Sequence, residues 1–190
     1  KRAIKGRSPV LKVNYRSGWE VLDSDTDFSL LDLGIRHSFK TGVTGKLTYK
    51  VNGGFFLNDD QMSFMDFRHF MGNRTLLQPS DPVAAFRLLD YYQFSTNGDY
   101  VTAFAHYDFR KLLLTRLGFV RERGLKEAMF VNYLGTTASG NYTEVGYSIN
   151  NIYRIFRVEG IASFRDGEYY DWGIRIGLAS NLSSLLSFGN

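Results

Sequence analysis

Three histidines are the side chains in this sequence with the most obvious chemistry for metal binding or acid-base catalysis. No two of His37, His69 and His106 have the short spacing of a helical zinc motif. His106 and Asp108 would share one face of a strand and could form a hydrogen-bonded pair, although a solvated polar face explains them better. We therefore predict no metal site and no cofactor.

A nucleophile and a base are the next requirement for catalysis. Ser63 with His69 has the right residue types, but no third residue completes the arrangement. Asp59 and Asp60 could bind a cation or act as an acid-base pair, and a solvated loop explains them more simply. We predict no catalytic residues.

Composition excludes several classes of protein. The net charge of +4 comes from basic residues spread along the chain, which does not indicate a nucleic-acid partner. No apolar run approaches the roughly 18 residues of a membrane-spanning helix. The absence of cysteine excludes disulfides and thiolate metal sites. The chain opens without methionine or a signal core, so we expect a mature chain, a trimmed chain or a fragment.

Strict alternation of apolar and polar residues is the dominant pattern. Successive strand side chains point to opposite faces, so alternation predicts a sheet between two unlike surroundings. In the last such segment Tyr170, Trp172, Ile174, Ile176 and Leu178 alternate with polar residues or glycine. We predict one domain over 1–190, with strands near 10–20, 29–40, 44–56, 100–109, 125–135, 142–150, 156–165 and 170–179 and a long loop over 57–98.

The lengths of these segments favour a transmembrane β-barrel. A strand needs about 9–11 residues to cross a bilayer, and soluble strands average about 5–6. Alternation alone would also suit a soluble barrel with its apolar face inside. The many charges on the polar face favour a watery or ion-paired lumen instead. The turn residues Thr41–Gly42, Gly140–Asn141 and Asp166–Gly167 predict antiparallel neighbours.

The basic and apolar segment 110–123 has two interpretations of equal weight. Its leucines and arginines suit an amphipathic turn lying on a membrane surface. A long hairpin connection is the alternative.

Three segments carry a resemblance to a known family: 69–75 (HFMGNRT), 89–92 (LDYY) and the ending from 145–159 (VGYSINNIYRIFRVE) through 173–177 (GIRIG). With the order of strands and long loop, they resemble the C-terminal half of the BamA/TamA-like surface-antigen barrels of the outer membrane. The resemblance is closest to the bacterial family that couples an N-terminal carboxypeptidase-regulatory-like domain to a barrel of unassigned function.

This resemblance implies the second half of a barrel of about sixteen strands, with the long loop folded back into the lumen. Superfamily loops carry an Arg-Gly-aromatic tip, whereas here Met71 precedes Gly72. The lumenal candidates are Arg68, His69, Gly72, Asn73 and Arg74. The implied closing-strand signal for the barrel-assembly machinery is Tyr170, Trp172, Ile174, Ile176 and Leu178.

These expectations define the functional hypotheses. The first is a non-enzymatic protein of the bacterial outer membrane, acting in envelope biogenesis, protein insertion or translocation, or anchoring of a periplasmic domain. Its partners would be outer-membrane lipid, the barrel-assembly machinery and other envelope proteins. The second is a self-contained eight-stranded barrel acting as a pore, an adhesin or a lipid-modifying enzyme. The third is a soluble lipocalin-like carrier.

Overall fold

Eight antiparallel strands form one sheet in chain order, and the fold is all-β as predicted. The computed structural model describes residues 8–19, 26–72, 81–153 and 155–178. A short 3-10 helix (Leu114–Arg116) and helix α1 (Gly118–Glu122) follow β4. The strands are β1 (Val10–Gly18), β2 (Asp27–Thr41), β3 (Gly45–Gln61), β4 (Tyr100–Phe109), β5 (Lys126–Thr136), β6 (Gly140–Ile152), β7 (Phe156–Arg165) and β8 (Glu168–Leu178).

The strands lie where alternation predicts them, but several ends differ. β3 continues to Gln61, so the long connection begins later than the predicted residue 57. β1 ends at Gly18 instead of near residue 20, and β8 begins at Glu168 instead of 170. These differences lie at the ends of strands, next to turn residues, where strand boundaries are least sharply defined by sequence.

The sheet is open among the described residues. β1 and β8 stand at its two edges, so it is not closed into a barrel. Each edge leaves a row of backbone N–H and C=O groups available for another strand. The exposed side chains on both faces of β1 agree with an edge that nothing covers.

The two faces of the sheet have opposite chemistry. One face, here the outward face, presents exposed apolar side chains, while the inward face buries polar and charged ones. The outward face includes Val101, Met129, Val131, Val145, Phe156, Trp172, Ile174 and Ile176. The inward face includes Thr102, His106, Asn132, Glu144, Ser148, Arg157, Glu159, Ser163 and Arg175.

Tight turns join the strands at both ends of the sheet. Gly42, Gly140 and Gly167 have φ of 59°, 79° and 86°, a region that favours glycine, and each occupies a predicted turn. The connections β2–β3, β4–β5 and β6–β7 define the turn end. The connections β3–β4, β5–β6 and β7–β8 define the loop end.

The apolar core lies between the inward face and the long β3–β4 connection. Phe86 and Phe94 of the connection pack against Phe104 and Tyr142 of the sheet. This accounts for Phe104, which breaks the alternation of β4 by placing an aromatic ring on the polar face. None of the helices in the described parts of the chain is long and apolar enough to span a membrane.

Close packing on the inward face predicts a difference between two glycines. A methyl group on Gly146 would lie 2.1 Å from the Phe130 ring, whereas one on Gly160 of the outward face meets nothing within 4 Å. Gly146→Ala should lower the free energy of unfolding by about 1–3 kcal/mol through overpacking. Gly160→Ala is the matched control and should change it little. Urea unfolding of both variants measures this, and equal losses would contradict the assigned packing.

Candidate functional site: a loop held on the inward face by buried charges

The described parts of the long connection, 62–72 and 81–99, lie across the inward face. The Phe86 and Phe104 rings are 4.8 Å apart, and those of Phe94 and Tyr142 are 5.3 Å apart. Leu88 belongs to a second cluster with Phe130 and Ile161. The connection therefore folds back onto the polar face of the sheet.

Arg87 is the cation that fixes this connection to the sheet. Its side chain is almost fully buried, and its guanidinium carbon lies 4.1 Å from the centre of the Phe130 ring. Its Nε lies 3.5 Å from a carboxylate oxygen of Glu159. The guanidinium also donates hydrogen bonds to the carbonyls of Ala85 (3.0 Å) and Pro82 (2.7 Å). The arginine thus binds its own loop and the sheet together.

Glu144 on β6 binds the backbone of the same loop. Its carboxylate accepts the N–H groups of Arg87 (2.8 Å) and Leu88 (2.7 Å). It also accepts hydrogen bonds from the Asn132 amide (2.8 Å) and the Tyr142 hydroxyl (3.0 Å). A fully buried carboxylate is tolerated because these donors replace the water it has lost.

Two further arginines complete the charged group beneath the loop. Arg175 of β8 donates a 2.7 Å hydrogen bond to the Arg87 carbonyl. Arg157 of β7 donates to the Asn150 side chain at 2.5 Å and lies 3.6 Å from Glu159. The group therefore joins β6, β7, β8 and the loop through contacts that depend on one another.

The lumenal candidates are only partly brought together. The Arg68 guanidinium lies 5.3 Å from the Tyr100 ring centre and 3.9 Å from Asp32. His69 Nδ1 is 2.7 Å from the Ser95 hydroxyl oxygen. A side chain at Gly72 would collide with the Leu89 carbonyl, 2.2 Å away, so glycine is required there. Asn73 and Arg74 lie outside the described residues.

The sequence alone did not identify Arg87 and its carboxylate partners as a site. Alternation places Glu159, Arg157 and Arg175 on the polar face, but it does not select a partner for any of them. A usable signal is present in the apolar run Ala84–Leu89, in which Arg87 is the only charged residue. An isolated cation in an apolar segment requires a partner elsewhere.

The closing-strand residues divide between the two sides of the sheet. Trp172, Ile174 and Ile176 are exposed on the outward face, as alternation predicts. Tyr170 differs because the register shifts between Ser163 and Phe164, where β7 pairs with β8. Its hydroxyl accepts a 2.9 Å hydrogen bond from Gln93 of the loop. The side chain of Leu178 lies outside the described residues.

The residues considered for catalysis have other partners. The Ser63 hydroxyl donates to Asp66 at 2.7 Å, and His69 contacts Ser95, so the two do not form a nucleophile and base. His106 and Asp108 are 3.8 Å apart, beyond hydrogen-bond distance. No cluster of metal-ligating side chains occurs among the described residues.

A salt bridge at the edge of the loop adds an electrostatic contact. Both carboxylate oxygens of Asp81 accept hydrogen bonds from Arg36, at 2.6 and 3.0 Å. Burial disfavours the charged form of Asp81, but the hydrogen bonds and charge of Arg36 outweigh it and hold the pKa of Asp81 below its usual range.

Removing Arg87 should release the loop. Arg87→Met leaves buried carboxylates uncompensated and should cost about 3–5 kcal/mol of unfolding free energy. Arg87→Met/Glu159→Met should recover part of that loss, because the unpaired charge is then gone. The control, Arg123→Met at an exposed site, should have little effect. Urea unfolding and protease cleavage within 81–99 measure this. No recovery in the double variant would contradict the pairing.

Acid should weaken the Arg36–Asp81 contact. A carboxyl whose folded pKa is lowered stabilises the fold above its unfolded value, about pH 4, and loses that effect as the pH falls through the folded pKa. Asp81→Asn should therefore lower the unfolding free energy near neutral pH, by less than about 1 kcal/mol because the pair is partly exposed. The difference from the parent chain should disappear in strong acid. A difference that grows on acidification would contradict this.

Comparison with known proteins gives one match. No curated protein and no solved structure matches the chain. The family model described as "Family of unknown function (DUF5686) C-terminal domain" matches residues 1–149, which is more than half of the chain. The chain therefore belongs to this family, whose C-terminal domain it represents.

Proposed function

We propose that this chain is the second half of a bacterial outer-membrane β-barrel of about sixteen strands, with a non-enzymatic role. That role would lie in envelope biogenesis, protein insertion or translocation, or the anchoring of a periplasmic domain. The resemblance to BamA/TamA-like barrels supplies this range of roles and the barrel-assembly machinery as a partner. The long loop bound to the inward face by a buried arginine supports the same proposal.

The observation that carries the proposal is the inverted exposure of the two faces. Trp172 and Ile174 are 64% and 61% exposed, while Arg175 between Ile174 and Ile176 is 4% exposed. Soluble proteins rarely leave a continuous apolar face of this kind in water. Hydrocarbon around the outward face removes the cost, because apolar side chains are favoured there.

The length of the strands also supports a position across a lipid bilayer. The strands have 9 to 17 residues, with β2 and β3 the longest at 15 and 17. A tilted strand needs about 9–11 residues to cross the hydrocarbon core. Every strand reaches that length.

The open edges favour the larger barrel over the self-contained eight-stranded one. A small barrel requires β1 to pair with β8, whereas these strands stand at opposite edges of the sheet. Unpaired backbone groups are costly in hydrocarbon, so further strands would have to complete the sheet. The soluble carrier is disfavoured because it requires the apolar face on the inside.

The inward face suggests how the protein works. The loop covers the polar face and contacts β6, β7 and β8 through the Arg87 group. In a closed barrel a loop in this position would obstruct the lumen. Passage of a polypeptide or solute would then depend on movement of the loop, or the plugged barrel would serve as an anchor.

A matched pair of substitutions tests the membrane assignment. Val131 lies within β5 on the outward face and is 46% exposed, and Val43 lies in the β2–β3 turn and is 75% exposed. Val131→Arg should cost about 2–4 kcal/mol for a charge in hydrocarbon, whereas Val43→Arg at the membrane boundary should cost about 0–1 kcal/mol.

Folding of the full-length protein into lipid vesicles, followed by urea unfolding, measures both variants. In a soluble protein both valines would face water, and arginine would be tolerated equally at either position. Equal tolerance, or purification of the folded chain without detergent, would overturn the proposal.

A further inference from the structure

The segment after β4, residues 110–124, is here called the interfacial segment. Glu127 of β5 pairs with Phe109 of β4, and it is fully buried although it belongs to the outward face. Its carboxylate accepts the backbone N–H groups of Leu113 (3.1 Å), Leu114 (2.9 Å) and Thr115 (2.9 Å). A carboxylate on an apolar face needs such donors.

The Glu127 contacts fix where the interfacial segment lies. The hydroxyls of Thr115 and Tyr147 also donate to this carboxylate. Tyr147 belongs to the neighbouring strand, β6. The segment is therefore bound against the outer surface of the sheet at the turn end and does not project away as a plain hairpin would.

The interfacial segment combines exposed leucines with positive charge. Leu113 and Leu117 are 65% and 48% exposed, and no apolar cluster among the described residues contains them. The segment carries five basic residues and one acidic residue, Glu122. Clusters of four or more cations on an amphipathic element are typical of binding to anionic lipid surfaces. The basic residues are Arg110, Lys111, Arg116, Arg121 and Arg123.

A cavity of about 590 Å³ lies beside the interfacial segment. Its apolar lining comes from Val43, Phe109 and Leu112, and Arg110 and Lys111 contribute the charged part. This arrangement places space for an acyl chain next to cations suited to a phosphate.

Aromatic rings surround the same end of the outward face. Tyr107 and Phe109 are 4.5 Å apart between ring centres, and Phe39 and Tyr49 are 6.5 Å apart. The Tyr107 hydroxyl is 2.8 Å from the Thr44 hydroxyl, which fixes its polar end at the β2–β3 turn. Aromatic rings with one apolar side and one polar end are typical of the level of lipid head groups.

We propose that the interfacial segment and the cavity beside it form a binding site for an anionic phospholipid in the leaflet at the turn end. Arg110 and Lys111 bind the phosphate, and an acyl chain lies against Val43, Phe109 and Leu112. The charge of the segment selects an anionic lipid over a zwitterionic one. This inference rests on the proposed function, since it requires the outward face to lie in a bilayer.

Fluorescence quenching by brominated lipids tests the proposed lipid-binding site. These 190 residues contain no cysteine, and any cysteine elsewhere in the full-length protein is replaced by serine, so Leu113→Cys carries a single bimane label at an exposed position of the segment. The full-length protein is folded into vesicles of phosphatidylcholine with a minor fraction of phosphatidylglycerol, and bromine is placed on one lipid or the other in matched preparations. Val131→Cys, labelled in the same way, reports on the outward face away from the segment.

The expected result is quenching by brominated phosphatidylglycerol well beyond its share of the bilayer at Leu113→Cys, but not at Val131→Cys. Each of Arg110→Gln and Lys111→Gln should lower this enrichment about 5-fold, because one cation near an anionic surface contributes about 1 kcal/mol. The control Arg165→Gln, an exposed charge at the loop end, should leave it unchanged.

Two other results would distinguish failure of the lipid-binding site from failure of the proposed function. Quenching at Val131→Cys would support the membrane assignment. If Leu113→Cys then showed no quenching, or showed no preference for phosphatidylglycerol, the proposed lipid-binding site would be overturned and the membrane assignment would remain. Such a segment would be a solvated hairpin or a site for a protein partner. Absence of lipid quenching at both labels would overturn the proposed function itself.

Discussion

The alternation of apolar and polar side chains along the strands is the constraint on which this structure depends. Because a strand has two faces, alternation gives the sheet one apolar surface and one polar surface, and the proposed function places hydrocarbon against the apolar one. The inward face buries its charges beneath a loop, while Trp172 and Ile174 remain exposed on the outward face. Among the described residues a loop covers the polar side, and under the proposed function lipid covers the apolar side.

On both faces of the sheet, a buried carboxylate is satisfied by backbone N–H groups of a connection. Glu144 on the inward face accepts backbone N–H groups from Arg87 and Leu88 of the long loop. Glu127, on the outward face at the turn end, accepts those of Leu114 and Thr115 in the interfacial segment. In each case a buried carboxylate converts a connection of irregular structure into a fixed part of the surface. Both connections then carry the features on which function is proposed to depend.

The fold could be predicted well because alternation is a local property. Period two locates the strands, and Gly42, Gly140 and Gly167 stand in sequence signals for turns, where the structure gives each of them a positive φ. The bulge at Tyr170 could not be predicted, since it arises from pairing between β7 and β8. The partners of Arg87 could not be predicted either, because they lie 57 and 72 residues along the chain at Glu144 and Glu159. Closure of the barrel requires strands that this sheet does not contain.

The central claim is that the outward face contacts hydrocarbon. A nitroxide attached to single cysteines from Trp172 to Ile176 would measure collision with oxygen, which concentrates in lipid, and with a water-soluble nickel complex. The account predicts that labels at Trp172, Ile174 and Ile176 collide with oxygen and are protected from nickel, while those at Gly173 and Arg175 lack this lipid signature. Nickel accessibility at the three apolar positions in the folded protein would contradict it.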